Sequence, residues 1–443
     1  MKQQRAKKNN YKGFISAICV FLVAIVFHNN ISKNIRLIEL KKNEVNNTEN
    51  YLKIQDFAYH IIVVKHFWLK KFGNIYEYEF QKHALSDYIG AKVNFLMPIA
   101  TTPIALIVWF PFACLAHFDL SLSYTFWMTF SFSIFFRGIF LIWEYFKKKD
   151  NFPVLATTLI LLTIFSMITF RTIILGQTSL IATGAIIWLI ALTISGKERE
   201  KQIKNIFLLL IILGLKPPYL VIGIGFLLIY CKYSEGIIAI TLVFVTIIAL
   251  TPFLGIEWMK SYLNVIKIYS QGNFPTVYSW SIAYDTMNIF RSAYGEIIGR
   301  KHVVVISYIL SMISYFVVSA FILMKYFQKK TLNNKKNILN LELNKERIFI
   351  VLTSSYLLFA PYAGAYEDLL LIPIFVISGL FCNYQKVWNI YNVGQCIFLI
   401  TILSNPYLPK EKPLWLFWIM KFIIILIIFM RSKEANKLTR FRS

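Results

Sequence analysis

Cysteine is scarce in this sequence, with five residues in a chain of 443. They are Cys19, Cys114, Cys231, Cys382 and Cys396, and each lies in or at the end of an apolar run. No two of them have the spacing of metal ligands, and none lies in a long polar loop. The pattern of a disulfide-stapled secreted domain is therefore missing, and we predict neither a disulfide framework nor a metal site.

Acidic residues are also few, because 22 Asp and Glu stand against 47 Lys and Arg, which gives a net charge of +25. A charge excess of this size is typical of nucleic-acid-binding proteins. Here, however, the cations occur in short clusters between apolar runs, as they do in the cytoplasmic loops of membrane proteins. An anionic inner leaflet accounts for such clusters. We therefore predict the lipid bilayer as a partner and exclude nucleic acid.

Apolar residues are abundant: 57% of the chain is hydrophobic and 17% is aromatic. A soluble domain cannot hide that much apolar surface. Runs of about 20 apolar residues, the length that crosses a bilayer, recur along nearly the whole chain, among them 96–116, 122–146, 173–195 and 235–254. Their continuity favours helices over the alternating strands of a barrel. The sequence predicts one all-α domain over residues 1–443, a multi-pass helical bundle of about 11 to 13 spans, in a bacterial-type plasma membrane.

Charge bias predicts the orientation of the loops. The first apolar run, 14–27, follows a basic start and has no small-residue cleavage site, which indicates an uncleaved span. We place the loops 28–94 and 255–302 outside and the basic linker 325–347 in the cytoplasm. Three spans then lie between the basic N-terminus and Lys147–Lys149, which is the wrong parity. Either the proline-rich run 96–116 is re-entrant or broken, or one charge cluster is misplaced.

The segment Phe57–Phe72 in the first outer loop has an amphipathic pattern. A stripe of Lys and His separates the apolar residues Ile61, Val64 and Trp68. This pattern predicts a helix that lies flat in the outer interface, with its apolar face in lipid.

Polar residues next to or within apolar runs are the candidates for chemistry. Asp56 stands at the membrane face of the outer loop, where it is a general base or a solvated loop carboxylate. Gln177, with Arg171 before it, lies inside an apolar run and must find a partner, in a cavity or on another helix. The apolar run 205–215 stops at Lys216-Pro217-Pro218, which predicts a helix break, and Lys216 either meets an anion there or reaches the interface as a snorkelling lysine.

Two acids, Glu367 and Asp368, open a late span on the outer side. Their carboxylates could accept hydrogen bonds from the hydroxyls of a sugar. The alternative is an ordinary interfacial turn.

In their order along the chain these motifs resemble glycosyltransferase family 87, a group of GT-C membrane enzymes. The resemblance runs over about residues 55 to 375. It comprises Asp56-Phe57 with a turn from Gly73 to Tyr76, then Met97-Pro98-Ile99-Ala100 leading to Phe110-Pro111. It continues with Gly176-Gln177-Thr178-Ser179 followed by Lys216-Pro217, and ends with Ala360-Pro361 and Glu367-Asp368.

The resemblance implies a GT-C-type bundle that transfers a hexose, often mannose, from a polyprenyl-phosphate sugar to a lipid-linked or glycan acceptor. Transfer is expected on the extracytoplasmic face, with inversion and with no cofactor besides this donor substrate. Asp56 would be the base, and Lys216 with Arg171 would neutralise the donor phosphate. The remaining substrate contacts are expected from Tyr59, Gln177, Glu367 and Asp368.

A membrane transporter or a flippase for lipid-linked sugars is the competing class. It would also carry Lys, Gln and Arg within the membrane. It has less use for a long outer loop that begins with an acid.

Overall fold

The structure is a computed structural model that describes residues 38–42, 50–54, 56–70, 72–90, 99–146, 167–195, 199–230, 233–270, 349, 353, 369, 370, 372 and 373. The strands are β1 Ile38–Lys42 and β2 Asn50–Ile54, which pair antiparallel. The helices are α1 Asp56–Leu69, α2 Tyr78–Ile89, α3 Ala105–Phe118, α4 Leu120–Phe146, α5 Met167–Leu175, α6 Ser179–Ser195, α7 Arg199–Leu213, α8 Pro217–Tyr230, α9 Tyr233–Leu254 and α10 Trp258–Ser270. Apart from the β1–β2 hairpin, the helical prediction is confirmed for these residues.

The helix α1 lies within the segment 28–94, which the sequence predicts to be an outer loop. Its acidic first residue, Asp56, suits a helix N-terminus, where the backbone dipole favours negative charge. Its apolar side chains, Phe57 and Phe67 among them, are buried against α2, α3 and α4. The neighbouring helix α2 ends at Gly90, whose positive φ of 72° lets its N–H bond to the Ser86 carbonyl. The loop is therefore a packed part of the protein.

The prediction that α1 puts its apolar face into lipid was wrong. Ile61 is 0% exposed and Val64 is 2% exposed, because protein covers this face. Lys65 Nζ donates to the Ala116 carbonyl at 3.2 Å. The helix itself is confirmed, and its 14 residues span about 21 Å. That length is short of the ~30 Å hydrocarbon core, so α1 is not itself a membrane-spanning segment.

The long helix α4 packs closely along α6. A Cβ added to Gly184 would lie 2.5 Å from the Phe135 Cα, and one added to Gly138 would lie 2.8 Å from the Gly184 carbonyl oxygen. Backbones approach this closely only where a small residue stands at the crossing, as in helix pairs within membranes. The two glycines thus permit a contact that larger side chains would separate.

Two helices in the described part of the chain are long and apolar enough to cross a membrane: Leu120–Ile142 within α4 and Gly236–Leu254 within α9. Most of the α9 window is not covered by protein. It exposes Ile237, Ile238, Leu242, Phe244, Val245, Ile248 and Phe253. An apolar surface of this size is unfavourable in water and suits a lipid environment.

The predicted apolar runs agree with the helices except at two places. The runs 122–146 and 235–254 correspond to α4 and α9. The break predicted at Lys216-Pro217 separates α7 from α8. The run 96–116, however, becomes helical only at Ala105, and Gly176 interrupts the run 173–195.

The helix α3 bears on the parity conflict. Its 14 residues span only about 21 Å, which is too short for a span and agrees with the alternative of a broken segment. The first span, residues 271–302, the linker 325–347 and most residues of the runs after 303 lie outside the described residues.

Candidate functional site

Three of the residues predicted from the sequence lie together in the fold. The Gln177 side-chain amide donates a hydrogen bond through Nε2 to Asp56 Oδ2, across 121 residues of sequence. Lys216 Nζ donates to Ser179 Oγ at 3.2 Å, two residues beyond Gln177. The charge on Lys216 also acts on the Asp56 carboxyl. A carboxylate, an amide, a hydroxyl and an ammonium group therefore form one polar cluster.

The cluster lies where three helices begin. Asp56 is the first residue of α1, Ser179 is the first residue of α6, and Lys216 directly precedes Pro217, the first residue of α8. The first N–H groups of a helix have no partner within it, and this end carries a partial positive charge. Helix N-termini are therefore frequent binding sites for phosphate and carboxylate. Here the dipoles of all three helices add to the charge of Lys216, but α8 begins with Pro217 and Pro218, which carry no N–H, so the free N–H groups come from the other helices.

Gly176 allows the loop with Gln177 to approach α1. Its φ of 65° lies in the left-handed region, and an added Cβ would lie 2.3 Å from the Phe57 Cβ. The helix α4 holds this loop from the other side, because Trp127 Nε1 donates to the Gly176 carbonyl at 3.2 Å. The Tyr124 hydroxyl donates to the Ile173 carbonyl. The position of Gln177 thus depends on a glycine and two aromatic donors.

The position of Lys216 depends on the buried segment 99–104. The Thr102 backbone N–H donates to the Gly214 carbonyl at 3.3 Å, and the Thr102 hydroxyl donates to the same oxygen. An added Cβ on Gly214 would lie 2.2 Å from Ile104 Cγ2. This contact fixes the turn that ends α7 and presents Lys216 to the cluster.

Aromatic rings surround the N-terminal end of α1. The Phe57 ring packs against the rings of Tyr124 and Trp127, with centroids 5.1 Å and 6.2 Å apart. Trp109 and Trp127 lie with centroids 4.2 Å apart. Such apolar surroundings weaken the hydration of a neighbouring charge and strengthen its interaction with nearby ions.

Burial and charge together set the proton affinity of Asp56. Burial raises the pKa of this carboxyl from 3.8 to about 6, although the Lys216 ammonium acts in the opposite direction. A general base performs best when its pKa is near the working pH and it is still ionised. At neutral pH most Asp56 carboxyls are ionised, and they hold a proton more readily than a surface carboxylate does.

The other predicted site residues have different outcomes. The Tyr59 hydroxyl donates to Gln81 Oε1, in a buried network that also joins Gln81 to the backbones of Ile75 and Ile99. Tyr59 therefore supports the fold beside the cluster. Arg171 lies in α5, but its side chain is outside the described residues, as are Glu367 and Asp368.

His60 belongs to this region, and our sequence reasoning did not select it. Its Nδ1 donates to the Asp56 carbonyl at 2.6 Å, one turn along α1. Its ring stacks on Trp109 with centroids 5.7 Å apart. Burial lowers the His60 pKa to about 4, and Lys216 contributes in the same direction, so the ring is neutral at pH 7. The i,i+4 spacing from Asp56 was the available signal.

Ser179 was noticed only as part of a motif, and the contact with Lys216 gives it a place in the cluster. The assembled groups can accept a proton at Asp56 and hold an anion between Lys216 and the helix N-termini. Both abilities are needed to transfer a group from its phosphate leaving group to a hydroxyl.

Comparison with protein-family models, curated proteins and solved structures finds no significant match to this chain.

Proposed function

We propose that this protein is a multi-pass membrane glycosyltransferase that resembles glycosyltransferase family 87. It would transfer a hexose, with mannose as the first choice, from a polyprenyl-phosphate sugar to a lipid-linked or glycan acceptor on the extracytoplasmic face. One observation carries the proposal. Asp56, Gln177 and Lys216, which are far apart in sequence, meet where three helices begin.

The phosphate of the donor has a matching environment. A polyprenyl-phosphate leaving group is an anion, and its charge grows as the bond to the sugar breaks. Lys216 and the N-terminal N–H groups of α6 are fixed donors that stabilise such charge without reorganising, whereas α8 begins with Pro217 and Pro218 and contributes only its dipole. The contact with Ser179 Oγ at 3.2 Å holds the ammonium near the start of α6.

The acceptor hydroxyl needs a base, and Asp56 is placed for that role. The acceptor oxygen forms a bond to the anomeric carbon while the bond between that carbon and the phosphate oxygen breaks. The acceptor proton goes to Asp56, and the phosphate leaves with the bonding electron pair. One displacement inverts the anomeric centre, so a single base suffices. The Gln177 amide orients the carboxylate through its hydrogen bond to Oδ2.

The surroundings suit a lipid donor. Two helices in the described ranges can cross a membrane, and α9 exposes an apolar surface along most of its length. The helix α1 is too short to span. With Asp56 near a bilayer surface, a prenyl chain would stay in lipid while its phosphate reached water. The extracytoplasmic side rests on the charge bias of the loops.

A transfer assay tests this function. Purified full-length protein in lipid nanodiscs would receive radiolabelled polyprenyl-phosphate mannose and a panel of lipid-linked and soluble glycan acceptors. We expect an inverted, mannosylated product with one class of acceptor, and polyprenyl phosphate released in equal amount. Polyprenyl-phosphate glucose, tested in parallel, reports which hexose is preferred.

The competing class gives a different result in a matched experiment. A flippase would move the labelled lipid between the leaflets of proteoliposomes and form no glycoside with any acceptor. That outcome would contradict the proposal.

A further inference from the structure

A second cluster of chemically reactive side chains lies near the other end of α1. It joins His66 of α1 to His83 and Asp87 of α2. One ligand atom from each residue can be chosen so that all three lie within 4.8 Å of one another. Two imidazole nitrogens and a carboxylate oxygen are ligands that zinc and similar divalent transition metals prefer.

The distances between the nitrogen and oxygen atoms of this cluster leave room for a cation between them. His66 Nδ1 lies 3.8 Å from Asp87 Oδ2, and His83 Nε2 lies 3.8 Å from Asp87 Oδ1. Both distances exceed those of a direct hydrogen bond. Two ligands at 2.0–2.1 Å from a tetrahedral zinc ion lie about 3.4 Å apart. Three atoms within 4.8 Å of one another need side-chain shifts of up to about 1 Å to reach this separation, and then all three can bind one ion.

The ligands differ in burial in a way that suits a metal site at a helix–helix junction. His66 is only 6% exposed, and its ring contacts the Phe80 ring edge-on with centroids 5.3 Å apart, which limits its motion. His83 is 67% exposed, so an ion can arrive from solvent on that side. His83 and Asp87 are four residues apart on α2 and therefore share one face of the helix.

We propose that His66, His83 and Asp87 bind a divalent transition-metal ion, zinc for preference, with water in the remaining position. His66 follows Asp56 by ten positions along α1, which places the ion about 15 Å along the helix from Asp56. The ion is therefore distinct from the transfer chemistry proposed above. Its role is to clamp α1 to α2 and so stabilise the outer loop that carries Asp56.

Lys70 provides an internal test of this site. Its Nζ lies 3.5 Å from Asp87 Oδ2, in a side chain that is more than half exposed. The ammonium competes with a metal ion for the carboxylate and must move away when the ion binds. Lys70→Ala should therefore tighten metal binding. If the cluster is only a set of ion pairs, the same change removes an interaction and creates no affinity for metal.

The experiment uses full-length protein without a polyhistidine tag, stripped with a chelator and held in nanodiscs. Titration with ZnCl₂ should show one saturable site per chain and raise the midpoint of thermal unfolding by about 2 °C or more. Cobalt(II), added in place of zinc, should give the intense visible absorption of a tetrahedral site.

Variants decide whether these three residues are the ligands. His83→Ala and Asp87→Asn change exposed or partly exposed positions and should each weaken zinc binding at least tenfold. His117→Ala, which removes an exposed histidine on α3, should bind zinc like the unmodified protein. The proposal is overturned if zinc shows no saturable binding, or if His83→Ala binds it with unchanged affinity.

Discussion

The two ends of α1 present similar chemical groups in different surroundings. At the N-terminal end, Asp56 and His60 are enclosed by the rings of Trp109 and its neighbours and face Lys216. At the C-terminal end, His66 and Lys70 meet Asp87 beside solvent. Burial makes the first carboxyl a better base by raising its pKa. Solvent access lets ions from outside reach the second.

The comparison teaches that residue type alone does not define a site in this protein. Each end combines a carboxylate, an imidazole and a lysine, yet at the N-terminal end these groups lie where three helices begin. We therefore expect group transfer at one end and ion binding at the other. The predictions below change one feature of this contrast at a time.

The largest effect is expected from removing the buried carboxylate. Asp56→Asn keeps the size of the side chain and removes the proton acceptor, and loss of a general base costs about 10²–10⁴-fold in rate. The turnover of labelled donor in the nanodisc assay measures it. Glu79→Gln is the matched control, because Glu79 is 80% exposed on α2 and should leave transfer unchanged. A variant Asp56→Asn with near-native turnover would remove the central residue from the mechanism.

The next effect concerns the cation. Lys216→Ala removes a charged donor from the leaving phosphate and should lower kcat/KM by about 10²–10³-fold, as the loss of one fixed transition-state donor does. Lys216→Arg retains the charge and should recover part of the activity. Equal kinetics for Lys216→Ala and the unmodified enzyme would show that this lysine does not bind the phosphate and is an interfacial, snorkelling lysine.

Part of this arrangement was predictable from the sequence, and part was not. Asp56, Gln177 and Lys216 were recognisable because a polar residue within or beside an apolar run is costly and needs a reason. Their contact was not recognisable, since no local pattern relates position 56 to position 177. The burial of Ile61 and Val64 by protein was also not predictable, because periodicity shows that a helix has an apolar face but not what packs against that face.

The metal cluster was missed for a related reason. His83 and Asp87 have helical spacing, but His66 joins them only because α1 packs on α2. The helix break at Lys216-Pro217 was correctly predicted, because proline is tolerated at the first position of a helix and disrupts its interior. The break at Gly176 was not, since a lone glycine in an apolar run also occurs at helix crossings.

An intermediate effect is expected at the turn that carries Gln177. Gly176→Ala places a Cβ 2.3 Å from the Phe57 Cβ, and overpacking of this kind typically costs about 1–3 kcal/mol. Thermal unfolding should begin at a lower temperature, and transfer should fall because Gln177 leaves Asp56.

Gly90→Ala is the control for Gly176→Ala, because it introduces backbone strain at a positive φ without a steric clash. Gly90 has a similar φ of 72°, but nothing lies within 4 Å of its added Cβ. Its variant should lose some stability through backbone strain alone and keep its transfer activity. If both alanine variants reduce transfer equally, the close approach at Gly176 is not what positions Gln177.

The smallest effect is a shift in pH dependence. The base must be ionised, so kcat/KM should fall as the pH drops through about 6, the pKa of the buried Asp56 carboxyl. Lys216 lowers this pKa, so Lys216→Met should raise it and move the acidic limb to higher pH. A limb that stays in place, or moves to lower pH, would show that the lysine does not act on the base.

Equilibrium binding of the donor tests the central claim most directly. Labelled polyprenyl-phosphate mannose would be titrated against unmodified protein, Asp56→Asn and Lys216→Ala in nanodiscs, without an acceptor. If Lys216 holds the phosphate and Asp56 only takes the proton, Lys216→Ala should bind at least about tenfold more weakly, since a hydrogen bond to a charged group contributes about 1.5–3 kcal/mol. Asp56→Asn should bind as well as the unmodified protein or more tightly, because one negative charge near the phosphate is gone. Unchanged binding by Lys216→Ala, or loss of binding in Asp56→Asn, would contradict the account.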